Sequence, residues 1–384
     1  MVVWISPTTL SSGISVVTIN GKVTRQRDYF YAGQLFYENV PILGGVIRLL
    51  KQKIGRWLLS YSYFYTRNNF QMSLRLVGIF LLISTNLFGQ RIEFTYKIKG
   101  DTTREYYATV HPAKEVRGVL ILLPGFGQLP KQTLVETDIH KVASEAGYLT
   151  IIPALSDWSF FYIDNASHEK LNRFIDDVFK KYELEGKAFI IGGFSFGGTM
   201  AFQYAQQAYA GKSALRKPVA VFGVDPPLDI ERLYDCMTTT NRPTKNPISV
   251  QEDDYVAERI EKEFGVSPKK KPELFWEISP FAQSDPGHTG LKSLVNVPVR
   301  IYNEPDINWY IENRSIDLYC INSVDSAAMI NWLRHFGNTQ AELILTTNKG
   351  RRVARQIRHP HSWTIVNGTE LIAWINGITT DKRK

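Results

Sequence analysis

From residue 91 onward the apolar positions follow two alternating rules. Arg91-Ile92-Glu93-Phe94-Thr95-Tyr96-Lys97-Ile98 and Tyr106-Tyr107-Ala108-Thr109-Val110 alternate with period two, which predicts two half-exposed antiparallel strands. Val119-Leu120-Ile121-Leu122-Leu123 is apolar without interruption, so a strand there is buried on both faces. A helical stretch over 132–147 leads to a strand at Tyr148–Pro153. The amphipathic run Glu169–Tyr182 then precedes another apolar stretch, Phe189-Ile190-Ile191. Further strands are expected at Pro218–Val224, Val297–Tyr302 and Leu343–Leu345, with a closing helix over 366–376. Two leading antiparallel strands followed by strand-helix repeats make an α/β chain: a mostly parallel central sheet flanked by helices. Ligands of such sheets bind beyond the carboxyl ends of the strands.

Two regions break the rhythm. Residues 230–295 are charged (Gln251-Glu252-Asp253-Asp254, Lys269-Lys270-Lys271) and interrupted by proline. They read either as an inserted cap-like segment, a lid over the site, or as a solvated surface excursion. Residues 1–71 show no periodicity and scatter aromatic, glycine and basic residues, as in Tyr61-Ser62-Tyr63-Phe64-Tyr65. Between them and the α/β region lies Met72–Gln90. It has a short positive start at Arg75, an apolar core Leu76–Ile83, and a more polar end with the small residue Gly89. That is the layout of a signal peptide, and the core is too short to span a bilayer comfortably. Translation is therefore expected to begin at Met72, which makes 1–71 a non-native or disordered extension. Cleavage near Gly89/Gln90 would send a domain of residues 90–380 to the periplasm or the exterior. A genuine basic arm with 76–88 as an uncleaved membrane anchor, or a buried core helix, is the alternative.

Charge supports no nucleic-acid role. The formal net charge of the 384 residues is +8, but residues 1–71 hold eight Lys/Arg against two acids and Arg75 adds one more, which leaves +1 for everything beyond residue 89. A nearly neutral body has no electrostatic footprint for DNA or RNA. The content of 44% hydrophobic and 12% aromatic residues is that of a globular protein. Cys236 and Cys320 are too few for a zinc site or a disulfide scaffold. They could form one bridge in an oxidising compartment or remain two buried thiols.

The chemistry concentrates at Gly193-Phe194-Ser195-Phe196-Gly197, a G-x-S-x-G turn between the apolar run and the small-residue start of a helix (Thr199, Met200, Ala201). A serine on so sharp a strand-to-helix turn takes a strained backbone conformation, and its neighbours two positions away must lack bulk. A phosphate-binding turn is the competing reading. No lysine follows as a P-loop requires, and the dinucleotide spacing G-x-G-x-x-G is absent. On this turn and on the order of its elements, the chain resembles the α/β-hydrolase family over about residues 91–378.

That resemblance implies a Ser, acid, His order along the chain, with the histidine in the loop before the last helix. Ser195 is then the nucleophile and His361, in His359-Pro360-His361-Ser362-Trp363, its base, with His359 as rival. The remaining five of the seven histidines read as structural. The acid is expected after the Val297–Tyr302 strand, at Asp306; Glu304 and Asp225 are the alternatives. Backbone N–H groups of Phe196 and of Phe126, or Gly127, are the expected oxyanion donors, with Pro124 standing where family members often carry histidine. A serine nucleophile with no metal or nucleotide motif points to acyl transfer to water without a cofactor, on a small-molecule ester. Aromatics near the expected pocket (Phe126, Trp158, Phe160, Phe161, Tyr162, Phe194, Phe196) suit an acyl or aromatic group. An amidase or peptidase, or an inactive binding protein on the same fold, is the alternative.

Overall fold

The computed structural model describes residues 14–19, 22–27, 90–99, 105–155, 160–211, 215–239 and 247–381. Two compact units divide the chain near residue 87. In the first, β1 (Ile14–Ile19) and β2 (Lys22–Arg27) pair antiparallel, with Ile14 opposite Arg27. The signal-like segment 72–89 lies outside the described residues, as do Trp158 and the side chain of Phe160.

The second unit is built on an eight-stranded sheet. Its strands are β3 (Ile92–Tyr96), β4 (Tyr106–Val110), β5 (Gly118–Leu123), β6 (Tyr148–Pro153), β7 (Ala188–Phe194), β8 (Ala220–Val224), β9 (Val299–Asn303) and β10 (Ala341–Leu345), in the spatial order β3-β4-β6-β5-β7-β8-β9-β10. The β3/β4 and β4/β6 pairs are antiparallel and the rest parallel. Side chains of β5 alternate between two cores. Val119, Ile121 and Leu123 face one apolar cluster, and Leu120 and Leu122 the other. Burial on both faces is what the uninterrupted apolar run required.

The alternation in β4 was read as half-exposed, yet all five of its residues are buried. Both of its faces are covered: Tyr106 stacks on Tyr96 at 5.0 Å, while Tyr107 meets Phe174 edge-on at 5.3 Å. The helical stretch expected over 132–147 is two helices, α1 (Pro130–Glu136) and α2 (Ile139–Glu145). Thr137 is extended between them (φ −141°, ψ 150°), and its hydroxyl accepts the Ile139 N–H. That alternative partner lets a hydroxyl residue end one helix and start the next.

Helix α3 (Asn165–Lys181) is capped by Asp164, which accepts the Ser167 N–H at 2.9 Å. Helix α4 (Phe196–Ala210) follows β7 and is buried along most of its length, ending on Gly211 at φ 68°. The rhythm-breaking region 230–295 is helical: α5 (Ile230–Thr238), α6 (Pro247–Phe264), α7 (Pro272–Ile278) and a 3-10 segment Thr289–Leu294. It is not a merely solvated excursion, because Ile260, Phe275, Leu291 and Leu294 are buried in the main core cluster. Helices α8 (Ile307–Arg314), α9 (Ser323–His335) and α10 (Gly368–Asp381) complete the layers, and a small hairpin of β11 (Arg351–Arg352) and β12 (Ile357–Arg358) precedes α10.

The two cysteines are bonded to each other: Cys236 of α5 joins Cys320 across 84 residues. Closing a loop of that length removes on the order of 4 kcal/mol of unfolded-state entropy. Beside the bridge, Arg232 of α5 is buried and holds both carboxylate oxygens of Asp325 on α9. The inserted helices are thus tied to the sheet's own connections twice. Among the described residues no helix is long and apolar enough to cross a membrane, and no acidic, histidine or cysteine cluster could hold a metal.

Burial holds His140 neutral by pushing it down to about 4, and burial likewise lowers His168, whose Nε2 meets Gln203 at 2.9 Å. An unfolded histidine takes up its proton near 6.5, so folded stability is complete above that pH and is lost as the pH falls toward 4. Acidification to pH 5 should cost about 2 kcal/mol for His140 alone. In thermal denaturation followed from pH 7 to 5, His140→Gln should flatten the decline in melting temperature.

Candidate active site

Ser195 follows β7 at the N-cap position of α4 with φ 54° and ψ −131°, a positive-φ strain that a non-glycine residue adopts only under compulsion. The compulsion is visible in its neighbours. A Cβ on Gly197 would lie 2.3 Å from the Pro124 carbonyl oxygen and 2.4 Å from that of Leu123, and one on Gly193 would lie 2.4 Å from the Gly197 backbone. The turn closes because two residues have no side chain. Its N–H donates to Val224 O of the adjacent strand at 2.9 Å, which anchors the serine to the sheet edge.

His361 lies in the loop before α10, its ring 4.5 Å from that of Phe194, the residue preceding the serine. Its Nδ1–H donates to Asp225 Oδ2 at 2.6 Å. The carboxylate on the histidine is therefore Asp225, at the end of β8, and not Asp306. Asp306 sits one strand further on and is engaged otherwise: one oxygen caps α8 by accepting the Trp309 N–H, and the other accepts from Arg358 at 2.8 Å. Glu304 is buried and consumed as well, accepting from the N–H groups of Lys349 and Gly350 and pairing with Arg358.

Asp225 is positioned from both sides. Its φ of 47° turns the chain off β8, its N–H donates to Tyr302 O at 2.8 Å, Asn303 Nδ2 donates to its Oδ1, and Asn322 Nδ2 donates to its backbone oxygen. With Oδ1 occupied by the Asn303 amide, Oδ2 is left to face His361. Neither asparagine was singled out from the sequence. The only trace was their place, Asn303 as the last residue of its strand and Asn322 just before a helix.

His359, the rival histidine, meets no carboxylate. Its Nε2 accepts from Arg314 at 3.3 Å, its ring packs 4.7 Å from Trp309, and its Nδ1 has no partner among the described residues. Burial first, then Arg352, His361 and Arg314, push it down to about 2, so it stays neutral. The other five histidines serve elsewhere, His288 for example between Phe281 and Trp332.

The loop after β5 faces the start of α4. Gln128 N–H closes a tight turn onto Gly125 O at 2.9 Å, and Trp363 Nε1 donates to Gln128 Oε1. Gly127 N–H donates to the Tyr162 hydroxyl at 3.0 Å and is engaged there. Phe196 opens α4, where an N–H has no carbonyl four residues earlier to receive it. The rings of Phe126, Phe161 and Phe196 pack together, Phe161 stacking on Phe196 at 4.5 Å. Tyr255, on α6 of the inserted region, reaches both Phe126 and Phe161, so the insertion contributes a wall beside the serine turn.

No family model matches the chain, and no curated protein matches it. Solved structures similar to it include the acylaminoacyl peptidase of Pyrococcus horikoshii (14% identity, TM-score 0.49, 77% of this chain and 42% of that one). Esterase B of Lactobacillus rhamnosis is 12% identical (TM-score 0.49, 88% and 96%), and carboxyl esterase 2 of Tuber melanosporum 13% (TM-score 0.47, 77% and 87%). The chain spans less than half the length of the peptidase. Its own topology defines the class: the strand order, the antiparallel leading strands and the strained serine between β7 and α4 are those of the α/β-hydrolase fold.

Because two backbone carbonyls block a Cβ at residue 197, Gly197→Ala should destabilise the protein by about 3 kcal/mol, at the upper end of overpacking costs. Gly377→Ala, at a position on α10 with open space, should be neutral or stabilising by about 0.5–1 kcal/mol. Urea midpoints of the two variants compare the effects directly.

Proposed function

We propose that the protein is a serine hydrolase that cleaves a carboxylic ester through an acyl-enzyme, with Ser195 as nucleophile, His361 as base and Asp225 as the acid that orients it. The observation that carries this reading is the 2.6 Å Asp225–His361 hydrogen bond beside a serine in strained nucleophile-elbow geometry. Holding Nδ1–H on the carboxylate leaves His361 Nε2 as the ring's acceptor, the tautomer a base needs. In the first half-reaction Ser195 Oγ forms a bond to the carbonyl carbon and its proton passes to Nε2. The tetrahedral oxyanion is met by the N–H groups of Phe196 and Phe126, and one such donor is worth about 3 kcal/mol. The proton then goes to the departing alkoxide, the ester C–O bond breaks, and water repeats the sequence on the acyl-serine. The aromatic wall of Phe126, Phe161, Phe196 and Tyr255 suits an apolar or aromatic part of the substrate. Export to an oxidising compartment fits the Cys236–Cys320 bridge.

A fluorophosphonate probe should label the folded protein, and Ser195→Ala should abolish labelling; a folded protein that takes no label is a binding protein on this fold. With 4-nitrophenyl butyrate, Asp225→Asn should lower kcat by about 10⁴-fold, as loss of the orienting carboxylate does. Asp306→Asn keeps a capping side chain and should lower it by less than about 10-fold. Reversal of that order would return the acid to Asp306.

A further inference from the structure

Arg352 has no place in the machinery described so far. It is the last residue of β11, nine positions before His361 and half-buried. The other buried or half-buried arginines around the sheet edge are paired: Arg232 with Asp325, Arg300 with Glu342 and Glu370, Arg314 with Glu252, Arg358 with Glu304 and Asp306. Arg352 has no carboxylate within ion-pair distance and donates no side-chain hydrogen bond among the described residues. Its guanidinium lies 5.3 Å from the centre of the Phe194 ring, which itself packs on His361.

The nearest carboxylates that act on it, Glu136 and Glu252, are committed elsewhere. Glu136 accepts the N–H groups of Val353 and Ala354, and Glu252 accepts from Arg314. Removal from water bears most against the Arg352 cation; Glu136 favours it, Arg314 as a second positive charge opposes it, and Glu252 favours it less than Glu136 does. A guanidinium kept half out of water, near a like charge and unpaired, is stabilised by whatever anion enters beside it. Its flat fork is matched to a carboxylate, and its N–H groups, which donate to no protein group among the described residues, are left for a ligand.

We propose that Arg352 determines specificity by binding a carboxylate on the substrate, so that the preferred esters are monoesters of dicarboxylic acids. The inference rests on the hydrolase reading for its turnover, not for its binding. The Phe194 ring lies 5.3 Å from the Arg352 guanidinium and 4.5 Å from the His361 ring, so both groups pack on the residue that precedes Ser195. Glu252 and Arg314 link this corner to α6, so the inserted region borders both the aromatic wall and the anion site.

Binding is read without chemistry in Ser195→Ala protein, titrated calorimetrically with monomethyl succinate, glutarate and adipate. At least one should bind saturably. Adding Arg352→Gln should weaken it by about 10- to 100-fold, the range set by losing hydrogen bonds to a charged group. Arg352→Lys, which keeps the charge without the fork, should fall between. In Ser195 protein, the ratio of kcat/KM for the 4-nitrophenyl monoester of glutaric acid over 4-nitrophenyl butyrate should drop at least 10-fold in Arg352→Gln. No saturable binding by any monoester, or equal binding in folded Arg352→Gln and Arg352→Lys, overturns the proposal. A protein that binds these monoesters through Arg352 but takes no fluorophosphonate label would keep the anion site and lose the hydrolase.

Discussion

Two hydrogen bonds at the carboxyl edge of the sheet set the geometry on which everything else depends. Ser195 N–H donates to Val224 O, and Asp225 N–H donates to Tyr302 O. Each bond carries the parallel ladder one residue past the end of a strand, from β7 onto β8 and from β8 onto β9. Both residues then leave the sheet with positive φ, 54° and 47°. Ser195 and Asp225 are thereby pinned to adjacent strand ends, in a register fixed by backbone rather than by flexible side chains. Strain of this kind costs of order 1–3 kcal/mol at each position and persists only where the surroundings enforce it. Here they do, through glycines that admit no side chain and carbonyls that cannot move.

The histidine comes from the other end of the chain, and it is held as much by packing as by its hydrogen bond. Phe194 lies beneath it, Trp363 beside Phe194, and the Trp363 indole N–H ties to Gln128 in the loop after β5. The turn that presents Phe126 and the loop that presents His361 are therefore one packed body. Tyr162 completes it from α3's side, taking Gly127 N–H at the expense of left-handed backbone at both Phe161 and Tyr162. Non-glycine residues in that region at two successive positions are a further store of strain directed at the same turn.

Among the described residues, the charges around the site form closed pairs except at Arg352. Glu304, Asp306 and Arg358 satisfy one another and fasten the β11–β12 hairpin to the end of β9. Glu252 and Arg314 fasten the inserted α6 to α8. His359 sits among these cations as a neutral ring. Against that background the Arg352 guanidinium, 5.3 Å from the Phe194 ring centre and without a carboxylate partner among the described residues, stands out, because burial makes the lack of a partner costly.

What the sequence by itself determined was whatever depends on local pattern. Uninterrupted apolar runs demand strands buried on both faces, so β5, β7 and β8 were legible, and the leading pair was legible as antiparallel. G-x-S-x-G needs glycine at 193 and 197 for steric reasons that hold in any context, so the strained turn at Ser195 was legible too, while His361 was singled out through the resemblance, which puts a histidine in the loop before the last helix. Tertiary structure alone decided the partner of that histidine. Asp306, Glu304 and Asp225 all follow strand ends, and nothing local says which carboxylate is spent on Arg358, on backbone N–H groups or on a helix cap. The burial of β4, the break at Thr137, the pairing of Cys236 with Cys320 and the packing of the inserted helices belong to the same category. Each depends on what arrives from tens or hundreds of residues away, and a hydrogen-bonding or apolar group takes the partner that the assembled neighbours leave to it.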